Sequence, residues 1–338
     1  MWFDKLLDRK APGPGGLLLV VVLALVGAVL VVQGAQHWRA GERSAERSRL
    51  LQQTADTLQA QTTGGSMLGA VSLMGLSEPL LKDMALGRLP PDHPEALSRL
   101  AVARGRFLVQ GVYVMSADGT VVAHETPGER STGLNLAFRP YFQQAIQGAT
   151  SVYAAIGSNT QERGLYYAAP LYGSDTPSSN IIGVVMFKVG FEPVDLLLKR
   201  AGLPMVLLSP QGVAFAATRP EWQFAVAPPL TQARIDAIRA TRQFGRHFDN
   251  GVASALPFAA DAGEVQINGV PHAVERRAID WHDPTGEWQL VALDDISALM
   301  TSSQRARIGA VAFVLFCLLG LLLLDSLRSR ARVASALE

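Results

Sequence analysis

The sequence predicts an α+β protein in which a long N-terminal helix precedes two similar antiparallel-sheet lobes, and transmembrane helices flank the whole. Three observations lead to this fold class. Uncharged apolar blocks lie near both ends of the chain, at residues 17–32 and 308–324. Between them, short β-branched and aromatic runs are separated by turn sequences, as in antiparallel sheets. An order of helix, hairpin and strands then recurs along the chain, which predicts two related lobes.

Composition limits the class of protein. The 338 residues carry a formal net charge of +1, which argues against a nucleic-acid-binding surface. The hydrophobic fraction of 49% is high for a soluble protein, and the excess lies in the two apolar blocks. The single cysteine, Cys317, lies inside the second block, so the sequence predicts neither a disulfide framework nor a cysteine-based metal site.

Each apolar block is long enough to form a transmembrane helix. With its flanking residues, the first block predicts a span over residues 16–35, close to the ~20 residues that a ~30 Å hydrocarbon layer requires. A cleaved signal peptide is the alternative, because it shares the basic start and the apolar core. The second span is predicted at 308–324. Basic residues lie outside both spans, which predicts a cytoplasmic N-terminus (1–15) and a cytoplasmic tail (325–338) around an extracytoplasmic region.

Residues 36–107 are predicted to form a helical stalk. The sequence lacks proline from Trp38 to about Thr63, and Leu51 and Leu58 are one heptad apart. This spacing fits a long helix that leaves the membrane and pairs with a second copy, which predicts a homodimer. A plain amphipathic helix that packs on its own domain explains the same spacing.

The first predicted lobe covers residues 108–190. A hairpin opens it around the turn Ser116-Ala117-Asp118-Gly119. A helix over residues 139–147 follows, with Pro140 in its first turn, where a helix tolerates proline. The remaining strands are predicted at residues 151–156, 164–171 and 181–189.

The second predicted lobe, residues 191–293, repeats this pattern in weaker form. A hairpin is predicted at Asn268-Gly269. A connecting helix over residues 294–307 is predicted to run directly into the second span. The other elements of the lobe are helices at 193–201 and 230–240 and strands at 204–209, 213–217, 253–258 and 288–293.

Three ordered motifs connect this pattern to a known family. They are Arg-Pro-Tyr-Phe at 139–142, Gly-x-Tyr-Tyr-x-x-Pro at 164–170 and Gly-Val-x-x-x-Lys at 183–188. The set resembles the double-PAS (double Cache) sensor regions of bacterial receptors, and most closely those of the C4-dicarboxylate sensor histidine kinases. The resemblance covers about residues 36–300. It implies that the membrane-distal PAS-like lobe binds a small organic acid and that the membrane-proximal lobe passes the change on.

Two cations are the leading candidates for ligand binding. A carboxylate ligand needs fixed donors and a counter-charge, and Arg139 and Lys188 supply both. Ion pairs with Glu192 or Asp195 are the alternative role for these two side chains. The further candidate ligand-binding residues are Tyr141, Ser158, Thr160 and Tyr167.

Alternation along a strand decides between two adjacent tyrosines. Tyr166 and Tyr167 must face opposite sides of the sheet, so only one of them lines the pocket, and Tyr167 is the preferred candidate. The run Ser158-Asn159-Thr160 contributes donors to the ligand or forms a plain turn, which such residues also favour. Phe142 is expected in the core, because helix spacing aligns it with the apolar side chains one turn later.

The sequence therefore predicts a sensor module rather than an enzyme. It is expected to be a two-pass protein of the bacterial inner membrane, with residues 36–307 periplasmic, that binds a dicarboxylate-like acid and transmits a conformational signal. Its expected partners are the lipid bilayer, a second copy and a separate cytoplasmic transmitter, a kinase or a cyclase. The chain ends at Glu338, soon after the second span, so the family's kinase is not expected within it.

Enzyme signatures do not occur in the sequence. It has no His-x3-His spacing typical of zinc sites, no Gly-x-Ser-x-Gly nucleophile turn and no phosphate-binding glycine loop. No catalytic residue, metal or cofactor is therefore predicted. Two alternatives stay open: the input portion of a sensor histidine kinase or diguanylate cyclase whose catalytic part lies outside this sequence, and a non-signalling accessory or solute-binding membrane protein.

Overall fold

Two five-stranded antiparallel sheets with the same strand order confirm the predicted α+β class. The chain divides into two units: Arg47–Asp295, which contains both sheets, and Met1–Glu46 together with Ile296–Glu338. The computed structural model describes residues 14–63, 65–127, 130–176, 180–297 and 299–335.

Four helices of the described residues precede the first sheet. They are α1 (Pro14–Thr62), α2 (Ser66–Ser77), α3 (Pro79–Ala85) and α4 (Pro94–Phe107). Leu51 and Leu58 of α1 are fully buried, together with Ala55, in the core that also contains the first sheet. The heptad spacing of the stalk is therefore used for packing within the chain, and the homodimer stays a prediction.

The described residues of the first lobe form one short helix and five strands. In chain order these are β1 (Gly111–Ser116), β2 (Val121–Glu125), α5 (Pro140–Ala145), β3 (Ser151–Ile156), β4 (Arg163–Tyr172) and β5 (Ile181–Gly190). The strands lie side by side in the order β2-β1-β5-β4-β3. One face of this sheet packs against the helices α1 to α4, and the other face packs against α5.

The second lobe repeats this arrangement. Its elements are α6 (Glu192–Arg200), β6 (Met205–Leu208), β7 (Ala214–Ala217), α7 (Gln232–Ala240), β8 (Glu264–Ile267), β9 (Val270–Ile279) and β10 (Trp288–Asp295). The strand order is β7-β6-β10-β9-β8, which corresponds strand for strand to the first sheet. Asn268 and Gly269 join β8 to β9 with φ angles of 53° and 79°, as the predicted two-residue hairpin requires.

Two elements of the second lobe differ from the prediction. The segment 253–258 is not a strand, and it makes only an isolated bridge between Ala255 and Val226. Pro257 lacks an amide donor, and the segment instead packs Leu256 and Phe258 into the core.

The predicted connecting helix over 294–307 is also wrong. Strand β10 continues to Asp295, which pairs with His272, and the last helix, α8 (Ser302–Ser335), begins only at Ser302. The buried carboxylate of Asp294, at the end of this strand, lies 3.7 Å from the guanidinium of Arg47.

The apolar helices meet the length and composition expected of membrane spans. Two segments, Pro14–Ser77 and Ser302–Arg330, are long and apolar enough to cross a membrane, although a signal sequence meets the same criterion. Within this unit, Gly27 of α1 lies directly against the Phe316 ring of α8. A small residue at this position allows the two helices to approach closely.

The second lobe covers the free edge of the first sheet. Strand β3 is an edge strand, and its Val152 amide donates to the Trp281 carbonyl at 3.3 Å. The Ile156 amide donates to the Gln243 carbonyl at 2.8 Å, and the Gln243 side chain donates to the Ala154 carbonyl at 2.8 Å. An uncovered edge strand is prone to aggregation, so these bonds both protect β3 and join the lobes.

Candidate ligand-binding site

A small cavity of about 40 Å³ lies in the first lobe, between the sheet and α5. The sheet contributes Tyr113, Tyr166, Met186 and Lys188 to its wall, on the face away from α1 to α4. The residues that complete its lining are Ser131, Leu134, Leu136, Arg139, Tyr141, Gly157, Ser158, Asn159 and Thr160.

Strand register brings the sheet residues of the cavity together. Lys188 pairs with Tyr166 on one side and Gly111 on the other, while Met186 pairs with Tyr113. Paired residues in an antiparallel sheet project from the same face. Gly164 leaves room for the lysine, because a Cβ atom there would lie 3.2 Å from Lys188 Cε. The glycine of the Gly-x-Tyr-Tyr motif thus accommodates the stem of the lysine.

Lys188 is a buried cation with oxygen partners on one side. Lys188 is 2% exposed, and its Nζ donates to Thr160 Oγ1 at 3.0 Å. The carboxylate of Glu162, at the rim, lies 3.6 Å from the same nitrogen. Removing an ammonium from water is costly unless charge and hydrogen bonds compensate it. The β3–β4 loop, which carries both Thr160 and Glu162, supplies that compensation.

Arg139 connects the cavity wall to the second lobe. It lies at the start of α5, where Pro140 occupies the first helical position, and it is 3% exposed. Its Nη2 donates to the Ile156 carbonyl at 3.1 Å and to Ser158 Oγ at 2.6 Å. Its Nη1 donates to the Arg242 carbonyl at 3.1 Å. One guanidinium therefore lines the cavity and bridges the two lobes.

Tyrosines form the apolar walls of the cavity. The rings of Tyr141 and Tyr166 are stacked with centroids 5.5 Å apart. Burial raises the pKa of Tyr141 to about 12 and raises the pKa of Tyr166 as well, so both hydroxyls keep their protons. The buried Tyr166 hydroxyl has no hydrogen-bond partner among the described residues. It is available as a donor to a molecule in the cavity.

The structure brings together most of the side chains that sequence reasoning selected. Tyr167 is the exception, because it packs in the core on the opposite face of the sheet, and Tyr166 lines the cavity in its place. Asp195, one of the two carboxylates considered as an alternative ion-pair partner for these cations, pairs with Arg163 at 2.7 Å. The predicted residues that line the cavity are Arg139, Tyr141, Ser158, Thr160 and Lys188.

Sequence reasoning missed the wall residues that come from distant segments. Tyr113 and Met186 face the cavity only because β1 pairs with β5. Ser131 and Leu134 reach it from the segment between β2 and α5. Phe142, by contrast, is buried in the core beside Ala145, as its helical spacing predicts.

The corresponding face of the second sheet is packed with apolar side chains. The rings of Trp222 and Phe258 meet edge to face at 5.2 Å above Val206 and Val291. Across the described ranges, no group of three or more His, Cys, Asp or Glu side chains could hold a metal ion. The buried cationic cavity is thus a feature of the first lobe.

Comparison of sequences finds two sensor proteins. No protein-family model matches the chain. The chain is 29% identical over 182 residues to the C4-dicarboxylate transport sensor protein DctB of Pseudomonas aeruginosa, covering 53% of this chain and 27% of that protein. It is 26% identical over 236 residues to DctB of Rhizobium meliloti, covering 67% of this chain and 36% of that protein. The chain thus matches about a third of the length of these relatives.

Comparison of structures defines the fold. The V. cholerae histidine kinase DctB sensor domain matches with a TM-score of 0.59 and 20% identity, covering 75% of this chain and 96% of that domain. A second match is the ligand-binding domain of the Pseudomonas fluorescens chemoreceptor CtaA in complex with L-leucine. It has a TM-score of 0.52 and 16% identity, and the match covers 78% of this chain and 100% of that domain.

The structural matches confirm the fold that the motifs imply, which is that of the double Cache sensor domains. Within that class, the chain is DctB-like, and it is distantly homologous to the C4-dicarboxylate sensor kinases.

Proposed function

We propose that this chain is the ligand-binding and membrane-anchoring part of a receptor that detects a small organic dianion outside the inner membrane. One observation carries the proposal: two buried cations, Arg139 and Lys188, line a single cavity together with hydroxyl donors. No acidic side chain is among the described residues that line it. The cavity wall therefore carries a formal charge of +2, which favours a ligand with two carboxylates.

The size of the cavity restricts how such a ligand binds. A volume of about 40 Å³ holds roughly three water molecules, at ~10–15 Å³ each. A four-carbon diacid is larger, so its entry requires the β3–β4 loop to move away from the sheet. This loop carries Ser158, Thr160 and Glu162, so ligand binding and loop position are coupled.

The same loop is anchored in the second lobe, which supports signal transmission. Arg163 at its end donates to the carboxylate of Asp195 at 2.9 and 2.7 Å and to the Phe215 carbonyl of β7 at 3.1 Å. A ligand shifts a conformational equilibrium only by binding one arrangement more tightly than another. A coupling of about 1–3 kcal/mol between loop position and lobe arrangement is sufficient for a signal.

The names of the relatives agree with a small-molecule receptor. The two curated relatives are named for C4-dicarboxylate transport, and the CtaA domain was crystallised with L-leucine. The apolar segments of α1 and α8 are proposed to anchor the chain in the inner membrane as a two-pass protein. A homodimer and a separate cytoplasmic transmitter, a kinase or a cyclase, complete the proposed receptor.

Calorimetry of the full chain in detergent micelles tests the proposal. Succinate, fumarate and malate are titrated alongside L-leucine, and at least one diacid is expected to bind. Lys188→Met is expected to abolish binding but not folding, because an apolar side chain of similar length replaces a buried ion. Diacid binding that survives in Lys188→Met, or a complete lack of binding by the unchanged protein, would contradict the proposal.

Glu162→Gln gives the opposite expected result in the same titration. Its carboxylate, which is 65% exposed, lies 3.6 Å from Lys188 Nζ and competes with a ligand carboxylate for that cation. Partly exposed pairs contribute about 0.2–1 kcal/mol, so the affinity for the diacid should rise by about 1.4-fold to five-fold. Glu264→Gln, an exposed position in β8, is the matched control and should leave affinity unchanged.

A further inference from the structure

A second, larger concavity lies between the two lobes and is not part of the proposed diacid site. This interlobe groove has a volume of about 380 Å³, within the ~300–1,000 Å³ range typical of small-molecule sites. Phe138 and Gln161 line it from the first lobe, and Arg242, Arg246 and Asp249 line it from the second. Arg139 and Ser158 form the wall that it shares with the cavity.

The groove carries an excess of positive charge. Arg139, Arg242 and Arg246 line it against a single carboxylate, that of Asp249, which leaves a formal charge of +2. The side chains of Arg242 and Arg246 are exposed, and neither lies within 4 Å of an acidic group of the described residues. Both guanidinium groups are therefore available to an anion from solution.

An aromatic side chain sits among these cations. Phe138 is 38% exposed, and the guanidinium carbons of Arg139 and Arg242 lie 5.1 and 5.2 Å from its ring centroid. A guanidinium is planar and weakly hydrated, and it stacks on aromatic faces. The groove therefore offers flat surfaces together with its positive charge.

The backbone holds this arrangement in place. Arg242 and Gln161, on opposite sides of the groove, both have left-handed conformations with φ angles of 53° and 54°. Non-glycine residues adopt this conformation at a cost, and such strain concentrates at functional sites. The Arg242 carbonyl accepts from Arg139, and the next residue, Gln243, is bound to β3, so the position of Arg242 is fixed before any ligand arrives.

We propose that the interlobe groove is a second binding site, which takes an aromatic carboxylate. Its carboxylate pairs with Arg246, and its ring stacks on the guanidinium of Arg242 beside Phe138. A molecule bound there contacts both lobes and the Arg139 wall, so it modulates the response to the cavity ligand. By thermodynamic reciprocity, a ligand in the cavity changes affinity at the groove by the same factor.

Benzoate is the probe for this site, titrated into the full chain in detergent micelles by calorimetry. The double variant Arg242→Gln/Arg246→Gln is expected to weaken benzoate binding at least ten-fold. Arg239→Gln is the matched control, since this exposed arginine of α7 pairs with Asp236 at 3.0 Å outside the groove. It should bind benzoate as the unchanged protein does, and cyclohexanecarboxylate should bind more weakly than benzoate.

Lys188→Met separates this proposal from the one for the cavity. Benzoate should bind this variant normally even though diacid binding is lost. Loss of benzoate binding in Lys188→Met would assign benzoate to the cavity and overturn the groove site. The same conclusion follows if the unchanged protein does not bind benzoate, or if the double variant binds it normally. Equal affinity for cyclohexanecarboxylate would overturn the aromatic class of ligand.

Discussion

At the scale of single residues, the buried cations combine a folding cost with a binding role. The ammonium of Lys188 is almost fully enclosed, and Thr160 and Glu162 help to offset the cost of its burial. A carboxylate ligand would add a further negative charge beside this buried cation. Arg139 differs, because three oxygens of the protein already accept from its guanidinium.

Tyr166→Phe should weaken diacid binding without destabilising the fold. The hydroxyl has no hydrogen-bond partner among the described residues, so its removal leaves no protein group unsatisfied. A lost hydrogen bond to the ligand costs about 0.5–1.5 kcal/mol, which is roughly a two- to twelve-fold loss of affinity in calorimetry. Tyr167→Phe, on the other face of the sheet, is the matched control and should bind normally. The reverse pattern would show that Tyr167 contacts the ligand.

At the scale of elements, close backbone approach decides how the stalk helices cover the first sheet. Helix α2 crosses β4 at Gly75, where a Cβ atom would overlap the Pro170 carbonyl oxygen. Leu51 and Leu58 of α1 complete the same core. The sheet face that these helices cover is thus buried by neighbouring segments of the chain.

Gly75→Ala is expected to lower the free energy of unfolding of the sheet unit. The added methyl group forces α2 away from β4, and overpacking of this kind costs about 1–3 kcal/mol. Gly69→Ala lies on the same helix with no atom within 4 Å of its Cβ position. This control should be neutral or stabilising, because alanine favours a helix over glycine by about 1 kcal/mol. Chemical denaturation measures both variants, and equal stabilities would refute the proposed close contact.

At the scale of the whole molecule, the β3–β4 loop and the edge of β3 carry the contacts between the lobes. Arg163 ends the loop, whereas Arg139 contacts it from the start of α5. Both arginines donate to oxygens of the second lobe. Gln243 is bonded to β3 through both its side chain and its carbonyl. A conformational change at the cavity is therefore connected to the second sheet by the backbone of the loop and by these hydrogen bonds.

Arg163→Gln should uncouple the lobes while leaving the cavity intact. Arg163 does not line the cavity, so diacid affinity should stay within about three-fold of the unchanged protein. Its bidentate pair with Asp195 and its bond to the Phe215 carbonyl are lost. Hydrogen exchange should then no longer respond to the diacid in residues 213–217, although it still responds in the first lobe. An unchanged response in both lobes would exclude Arg163 from the route.

Residue patterns alone predicted most of the helices and strands and the class of fold. Alternating apolar runs predicted the strands, Asn268-Gly269 predicted its hairpin, and the ordered motifs around Arg139 and Lys188 pointed to the double Cache fold. These signals are local, since each depends on residue type and on a period of a few residues. They also selected most of the side chains that line the cavity.

The tertiary structure is needed to show which surfaces those elements share. It turned Tyr166 rather than Tyr167 toward Lys188, and it buried Leu51 in the chain's own core. It also extended β10 to Asp295 and directed Arg139 to a carbonyl of the second lobe. Each outcome depends on strand register or on contacts between segments far apart in sequence. A repeating local pattern does not encode them, because a shift of register by one residue exchanges the two faces of a strand.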